Sequence, residues 1–146
     1  MRTNQRMREF LCSVGIDPGI LILYSSGNGL PELIEIDGCV LLSAEYLKST
    51  AINLSQFPDR TGYECFVNRA HLRGSTKSEF EEAFKQAAAI RAALIRFRED
   101  KFQVIVSISN GDVTLRFHKK RANEQWLDDD LDHYRHEAVM AIDVPD

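Results

Sequence analysis

The chain has 146 residues, 44% hydrophobic and 27% charged, which is the composition of a globular domain and not of a disordered segment. Its formal net charge is −4, but residues 122–146 carry eight acidic side chains against the single Arg135, so the remainder is slightly basic. No apolar run approaches the ~20 residues that span a bilayer, which argues against a membrane protein.

The N-terminal "MRTNQRMREFLCSVGIDPG" lacks a signal peptide's apolar centre, because Asp17, Pro18 and Gly19 interrupt it. A cytoplasmic location is expected. Within it Met7, Phe10, Leu11 and Val14 fall at helical spacing and Gly15 stands where a helix would end, which predicts a helix over 2–14. "ILILYSS", residues 20–26, reads as a strand. In "ELIEIDGCVLLS", Asp37-Gly38 suits a two-residue type I′ turn that pairs Ile36 with Cys39 and Ile34 with Leu41. The opposite face, Glu35 with Val40 and Leu33 with Leu42, is only partly polar, so this hairpin is expected to be covered on both sides.

Residues 43–50 suit a helical turn or two. "YECFVNRAHL" reads as a strand, since Tyr63, Cys65 and Val67 alternate with Glu64, Phe66 and Asn68. A long helix is predicted over 75–99. Thr76 and Ser78 each precede a glutamate by three residues, the capping-box spacing, and Phe80, Phe84, Ala87, Ile90, Leu94 and Phe97 share one stripe. Its length would be roughly 35 Å. The most legible stretch is "KFQVIVSISNGDVTLRFHKKR", residues 101–121. Its Asn110-Gly111 turn pairs Ile108 with Val113, Val106 with Leu115 and Val104 with Phe117 on a wholly apolar face. The other face, with Gln103, Ser107, Thr114, Arg116 and His118, is expected to be wet. "EQWLDDDLDHYR" then suits a short amphipathic helix pinned by Trp126, Leu127, Leu131 and Tyr134, and "HEAVMAIDV" a last strand. The fold expected is a single α+β domain over 1–146: a mostly antiparallel sheet of five to seven strands with one long helix packed across it.

No motif commits the chain to catalysis, and no cofactor is expected. Cys12, Cys39 and Cys65 form no CxxC pair and read as buried, reduced thiols; Cys65, with His71 six residues on, is the weaker nucleophile alternative. Asp128–His136 offers aspartates with His133 and His136 one helical turn apart, the basis of a metal-dependent enzyme reading, but it matches neither a zincin nor a calcium loop. Arg116, His118, Lys119, Lys120 and Arg121 form a basic strand end that could hold the phosphates of RNA. That strand lacks exposed aromatic residues for base stacking, and the run equally suits cations that neutralise nearby aspartates. The positive case is charge display. Glu124, Trp126, Asp128, Asp129 and Asp132 on an anchored element would form a preorganised negative patch that steers and orients a basic partner.

The run "VTLRFHKKRANEQWLDDDLDHYRHEAVMAID", a fifth of the chain, resembles the C-terminal part of small immunity proteins of bacterial contact-dependent inhibition and related polymorphic-toxin systems. That resemblance implies a non-catalytic inhibitor of a cognate toxin domain. A nuclease is the toxin class expected, because its cleft is positive where its substrate is negative. Nucleic acid is then not a partner.

Overall fold

The computed structural model describes residues 1–19 and 29–146; the strand expected over 20–26 lies outside them. Strands β1 (Arg2–Thr3), β4 (Ala70–Arg73), β5 (Phe102–Ser109), β6 (Asp112–Lys119) and β7 (Ala138–Val144) form one antiparallel sheet in the order β1-β7-β5-β6-β4. The β5–β6 hairpin has the register read from its alternation, with Ile108 opposite Val113 and Val104 opposite Phe117. Asn110 and Gly111 both take positive φ, 51° and 79°, as a type I′ turn requires. Strands β2 (Leu33–Ile36) and β3 (Cys39–Leu42) form a separate two-stranded sheet, turning through Asp37 and Gly38 at φ 53° and 76°.

Two helices cover the apolar face of the large sheet. Helix α1 (Gln5–Val14) begins three residues later than expected, because Arg2–Thr3 pairs with β7 and Asn4 caps the helix. Gly15 ends it in the left-handed conformation at φ 67°. The short α2 is Ser43–Lys48, as expected. The long helix, α4, spans Lys77–Leu94 and opens on a full capping box between Thr76 and Glu79. It stops five residues short of Glu99, so its length is about 27 Å. Phe80, Phe84, Ala87, Ile90 and Leu94 pack with Met7 and Leu11 against Val104, Val106, Leu115, Phe117 and Met140 in the main core. Phe97, beyond the helix end, meets the ring of Phe102 edge-on at 5.8 Å.

The strand expected from "YECFVNRAHL" is mostly helix: α3 runs Arg60–Val67, and only β4 follows it as strand. The alternation was real but short. The same residues carry Tyr63/Val67 and Glu64/Asn68 at i, i+4, and Asp59 caps the turn by accepting the Gly62 N–H at 2.7 Å. Tyr63 and Val67 pack on Cys39 and Leu41, whereas Val40 and Leu42 join the main core, so strand β3 is buried on both faces, while β2 is only partly buried and exposes Glu35. Glu64 and Asn68, both fully buried, act as a surrogate strand. Glu64 accepts the N–H groups of Val40 and Lys119, and Asn68 accepts the Leu42 N–H while donating to the carbonyls of Val40 and Phe117. Two polar side chains thus couple the edge of β3 to the end of β6 and satisfy backbone groups that burial would otherwise orphan.

Candidate functional site

The acidic stretch after β6 is not the amphipathic helix expected of it. Residues 122–137 are irregular apart from one 3-10 turn at Leu131–His133. The aspartates themselves cause this. Asp128 Oδ1 accepts the Asp130 N–H and Asp130 Oδ1 accepts the Asp132 N–H, each at 3.0 Å, so successive Asx turns compete with helical bonds. Leu127 and Leu131, with the half-buried Tyr134, lie on Ile105, Val139 and Ala141 of the second sheet face. The Tyr134 hydroxyl accepts the Asp128 N–H at 2.9 Å. Trp126, expected as the anchor, is 41% exposed, with the Arg116 guanidinium 5.7 Å from its ring centroid. Two leucines and a tyrosine hold the segment, and the indole is left for display.

This packing also corrects the wet face expected for the β5–β6 hairpin. Gln103, Ser107 and His118 are 6%, 8% and 4% exposed, because the acidic segment folds back over them. The hairpin's polar face meets its own C-terminal chain.

The proposed partner-binding residues divide. Glu124 is turned inward, its Oε2 accepting from Thr61 N–H (3.1 Å) and Oγ1 (2.7 Å). Asp128 and Asp129 are exposed on the surface beside Asp130. The Asp129 carbonyl accepts from Arg2 Nη1 at 3.0 Å, and its carboxylate from Gln125 at 3.2 Å. Asp132 is half-exposed; it accepts the Gln5 N–H at 2.6 Å at the start of α1 and lies 3.9 Å from Arg8. His133 sits between Asp128 (3.0 Å) and Asp130 (3.4 Å). Its hydrogen bond to Asp128 raises the imidazole pKa and lowers that of the carboxylate. Among the described residues, no three His, Cys, Asp or Glu side chains converge as a metal-ligand set.

The basic strand end is largely consumed inside the molecule. Lys119 pairs with Asp100 at 2.6 Å and Lys120 with Asp143 at 3.0 Å. Arg121 clasps Glu64 through both terminal nitrogens, at 2.8 and 3.0 Å, and also donates to the Gly38 carbonyl. Arg116 underlies Trp126, and His118 is buried. The cations do neutralise carboxylates, but distant Asp100, Asp143 and Glu64 instead of the aspartate run that follows them.

Beside the acidic segment lies a cavity of about 310 Å3, whose lining includes Gln103, His118, Trp126 and Asp129. His118 Nε2 is the one buried side-chain nitrogen or oxygen without a hydrogen-bond partner among the described residues. Leaving a buried acceptor unpaired costs about 1–3 kcal/mol, so the atom calls for a donor. The cross-strand pairing of Gln103 with His118 was visible in the hairpin register; the loop that roofs them was not.

A model of the Uncharacterized protein PM0498 family matches residues 2–146, the whole sheet, its helices and the acidic segment together. The chain belongs to that family. Neither a curated protein nor a solved structure matches it. Among the described residues of this family member, no helix is long and apolar enough to cross a membrane.

Cys65 and Cys39 are fully buried, while Cys12, expected to be buried, is exposed on α1. Burial pushes the Cys39 thiol up to about 11 and the Cys65 thiol higher still. The ring of His71 is engaged with Thr114 at 3.3 Å. A thiol held in its protonated form is a poor nucleophile, so the Cys65 alternative has no support from its surroundings.

Proposed function

We propose that the protein is a cytoplasmic, non-catalytic binding protein that captures a basic protein domain through its acidic face. Following the resemblance of residues 113–143, we take it to be an immunity protein that neutralises a cognate bacterial toxin, of the nuclease class. One observation carries the reading: Asp128, Asp129 and Asp130 stand exposed on a backbone that is itself fixed. Leu127 and Leu131 bury the segment from below, and Arg2 and Gln5 grip it from the N-terminal side. A charged patch that is ordered before binding loses little entropy on association and sets the orientation of encounter. Trp126, exposed at the edge of the patch, is the residue type that dominates interface energetics. Glu124 is released from the expected contact set, since its carboxylate already serves Thr61.

The test is capture of the C-terminal domain of a secreted protein encoded beside this reading frame. Asp128→Lys with Asp129→Lys should weaken that capture by at least about ten-fold and abolish neutralisation. A double variant that captures and neutralises like the parent would end the assignment of this face.

A further inference from the structure

The outermost strand of the large sheet, β4, is an open edge. It pairs with β6 on one side, and among the described residues no strand lies on the other. Along an antiparallel ladder, alternate residues turn both backbone groups toward the neighbouring strand. Gly74 donates to the Gly111 carbonyl at 2.8 Å, which makes Leu72 and Ala70 the residues bonded to β6. The N–H and C=O groups of His71 and Arg73 therefore point outward. Beside them lies a groove of about 650 Å3, walled by Ile52, Phe66, Val67, Ala70, Leu72 and Gln86. Ala70 and Leu72 are half-buried at the rim of the main core, and Phe66 is 39% exposed.

The other face of β4 sets the charge. Arg69, His71 and Arg73 are all exposed. Arg73 is matched by Asp112 across the ladder. Arg69, one step past Ala70, continues the register to Arg116. Both guanidiniums rest on aromatic rings, Phe66 at 5.4 Å and Trp126 at 5.7 Å, and among the described residues neither forms an ion pair. Burial lowers the Arg116 pKa first and Arg69 next; Glu137 opposes them more weakly. In the groove itself Glu45 is already held by Lys48 at 3.2 Å. The edge is thus positive on balance. A second copy is a poor occupant, because two antiparallel β4 strands would set Arg69 against Arg73, or Arg73 against His71.

We propose that the β4 edge takes an extended acidic segment of another protein, added to the five-stranded sheet as a further strand whose backbone bonds to His71 and Arg73. Its acidic side chains lie opposite Arg69, His71 and Arg73, and the apolar residues between them lie opposite Ala70 and Leu72, along the groove. An alternating acidic and apolar sequence is the pattern this edge selects: main-chain bonds give affinity, and the alternate side chains give specificity. The site is on a different face from the aspartate patch and does not depend on capture of a basic domain.

The test uses the full chain, labelled with 15N, and a capped peptide of alternating glutamate and valine, about six residues long as strands commonly are. The same peptide with lysine for glutamate is the control. The glutamate peptide should shift the His71 and Arg73 amides saturably and slow their hydrogen exchange, while the Ala70 and Leu72 amides, already bonded to β6, exchange as before. The lysine peptide should bind about ten-fold more weakly. Arg69→Glu with Arg73→Glu, exposed changes that leave the core untouched, should reverse that preference. Amides that neither peptide protects, or that both protect alike, would overturn the proposal, as would a preference that the double variant leaves unchanged. Slow exchange of His71 and Arg73 in the free chain would overturn it too. If independent of concentration, it would mean that the protein covers this edge itself; if concentration-dependent, that a second copy does.

Discussion

Arg121 and Glu64 form a two-pronged ion pair, 2.8 and 3.0 Å long, around a carboxylate with no exposed surface. The pair joins four parts of the fold, because Glu64 belongs to α3, accepts from β3 and the end of β6, and draws in the chain that leaves β6. Removing one partner of such a pair leaves the other charge buried and unmatched. Arg121→Met should therefore lower stability by about 3–5 kcal/mol, read as a fall in the urea midpoint with an unchanged slope. A loss below about 1 kcal/mol would mean that water reaches Glu64 and that the clasp is not a structural hub.

The cysteines lead to a chemical prediction. Cys12 is exposed, whereas Cys39 and Cys65 are buried in surroundings that oppose ionisation. A disulfide-exchange reagent at neutral pH should label a single thiol quickly, at Cys12, and the other two only after unfolding. Fast modification of Cys65 in the native protein would reopen its nucleophilic reading.

The elements that could be read in advance are those where one local period had no competitor. The β5–β6 hairpin combines an unbroken alternation with Asn110-Gly111 and formed in the expected register. Helix α4 combines a capping box with an apolar stripe and formed at the expected place, though it ends at Leu94 and leaves Phe97 of that stripe beyond it. Helix α3 was misread because an alternation of six residues also contains the i, i+4 pairs of a helix, and because Glu64 and Asn68 are buried for backbone partners that only the tertiary fold supplies. The acidic segment failed differently. Its apolar spacing is helical, but Asp128 and Asp130 each take the backbone N–H two residues on, and two such turns in succession outweigh the period. Display of the carboxylates was legible, and so were three of the four side chains expected to hold them. Leu127, Leu131 and Tyr134 reach the sheet, whereas Trp126, the fourth of that helical spacing, stays exposed because the segment is not helical.

His133 offers a measurement of how firmly the acidic loop is set. Asp128 raises the His133 pKa above its ordinary 6.5, and His133 holds Asp128 below its ordinary 3.8. The raised histidine contributes stability that is complete below 6.5 and fades as pH climbs through the folded value. The lowered aspartate contributes above 3.8 and fades as pH drops through its folded value. The pair thus supports the loop most fully between those two limits. In an NMR titration, Asp128→Asn should bring the His133 midpoint down toward that of free histidine. An unchanged midpoint would show that the 3.0 Å contact does not persist in solution.

Asn4 ties the acidic segment to the start of the fold, and it is buried to 1% exposure. Its Oδ1 accepts the N–H groups of Met7 and Val139, each at 2.9 Å, which caps α1 and anchors β7. Its Nδ2 donates to the carbonyls of Tyr134 (3.1 Å) and Glu137 (2.7 Å), closing the loop that carries the aspartates. At an ordinary helix cap, asparagine and aspartate are nearly equivalent, and alanine costs about 0.5–2 kcal/mol. Here the order should invert. Asn4→Asp keeps the cap acceptor but sets carboxylate oxygens against two carbonyls in a dry site, so at neutral pH it should destabilise at least as much as Asn4→Ala, by roughly 3 kcal/mol. Amide exchange over residues 128–137 should accelerate in step, because those carbonyls lose the only donors that face them from Asn4. If Asn4→Asp unfolds at the parental urea midpoint, Asn4 is a cap and nothing more, and the carboxylates of Asp128 and Asp129 owe their fixed position to Leu127, Leu131 and Tyr134 and to the hydrogen bonds from Arg2 and Gln5.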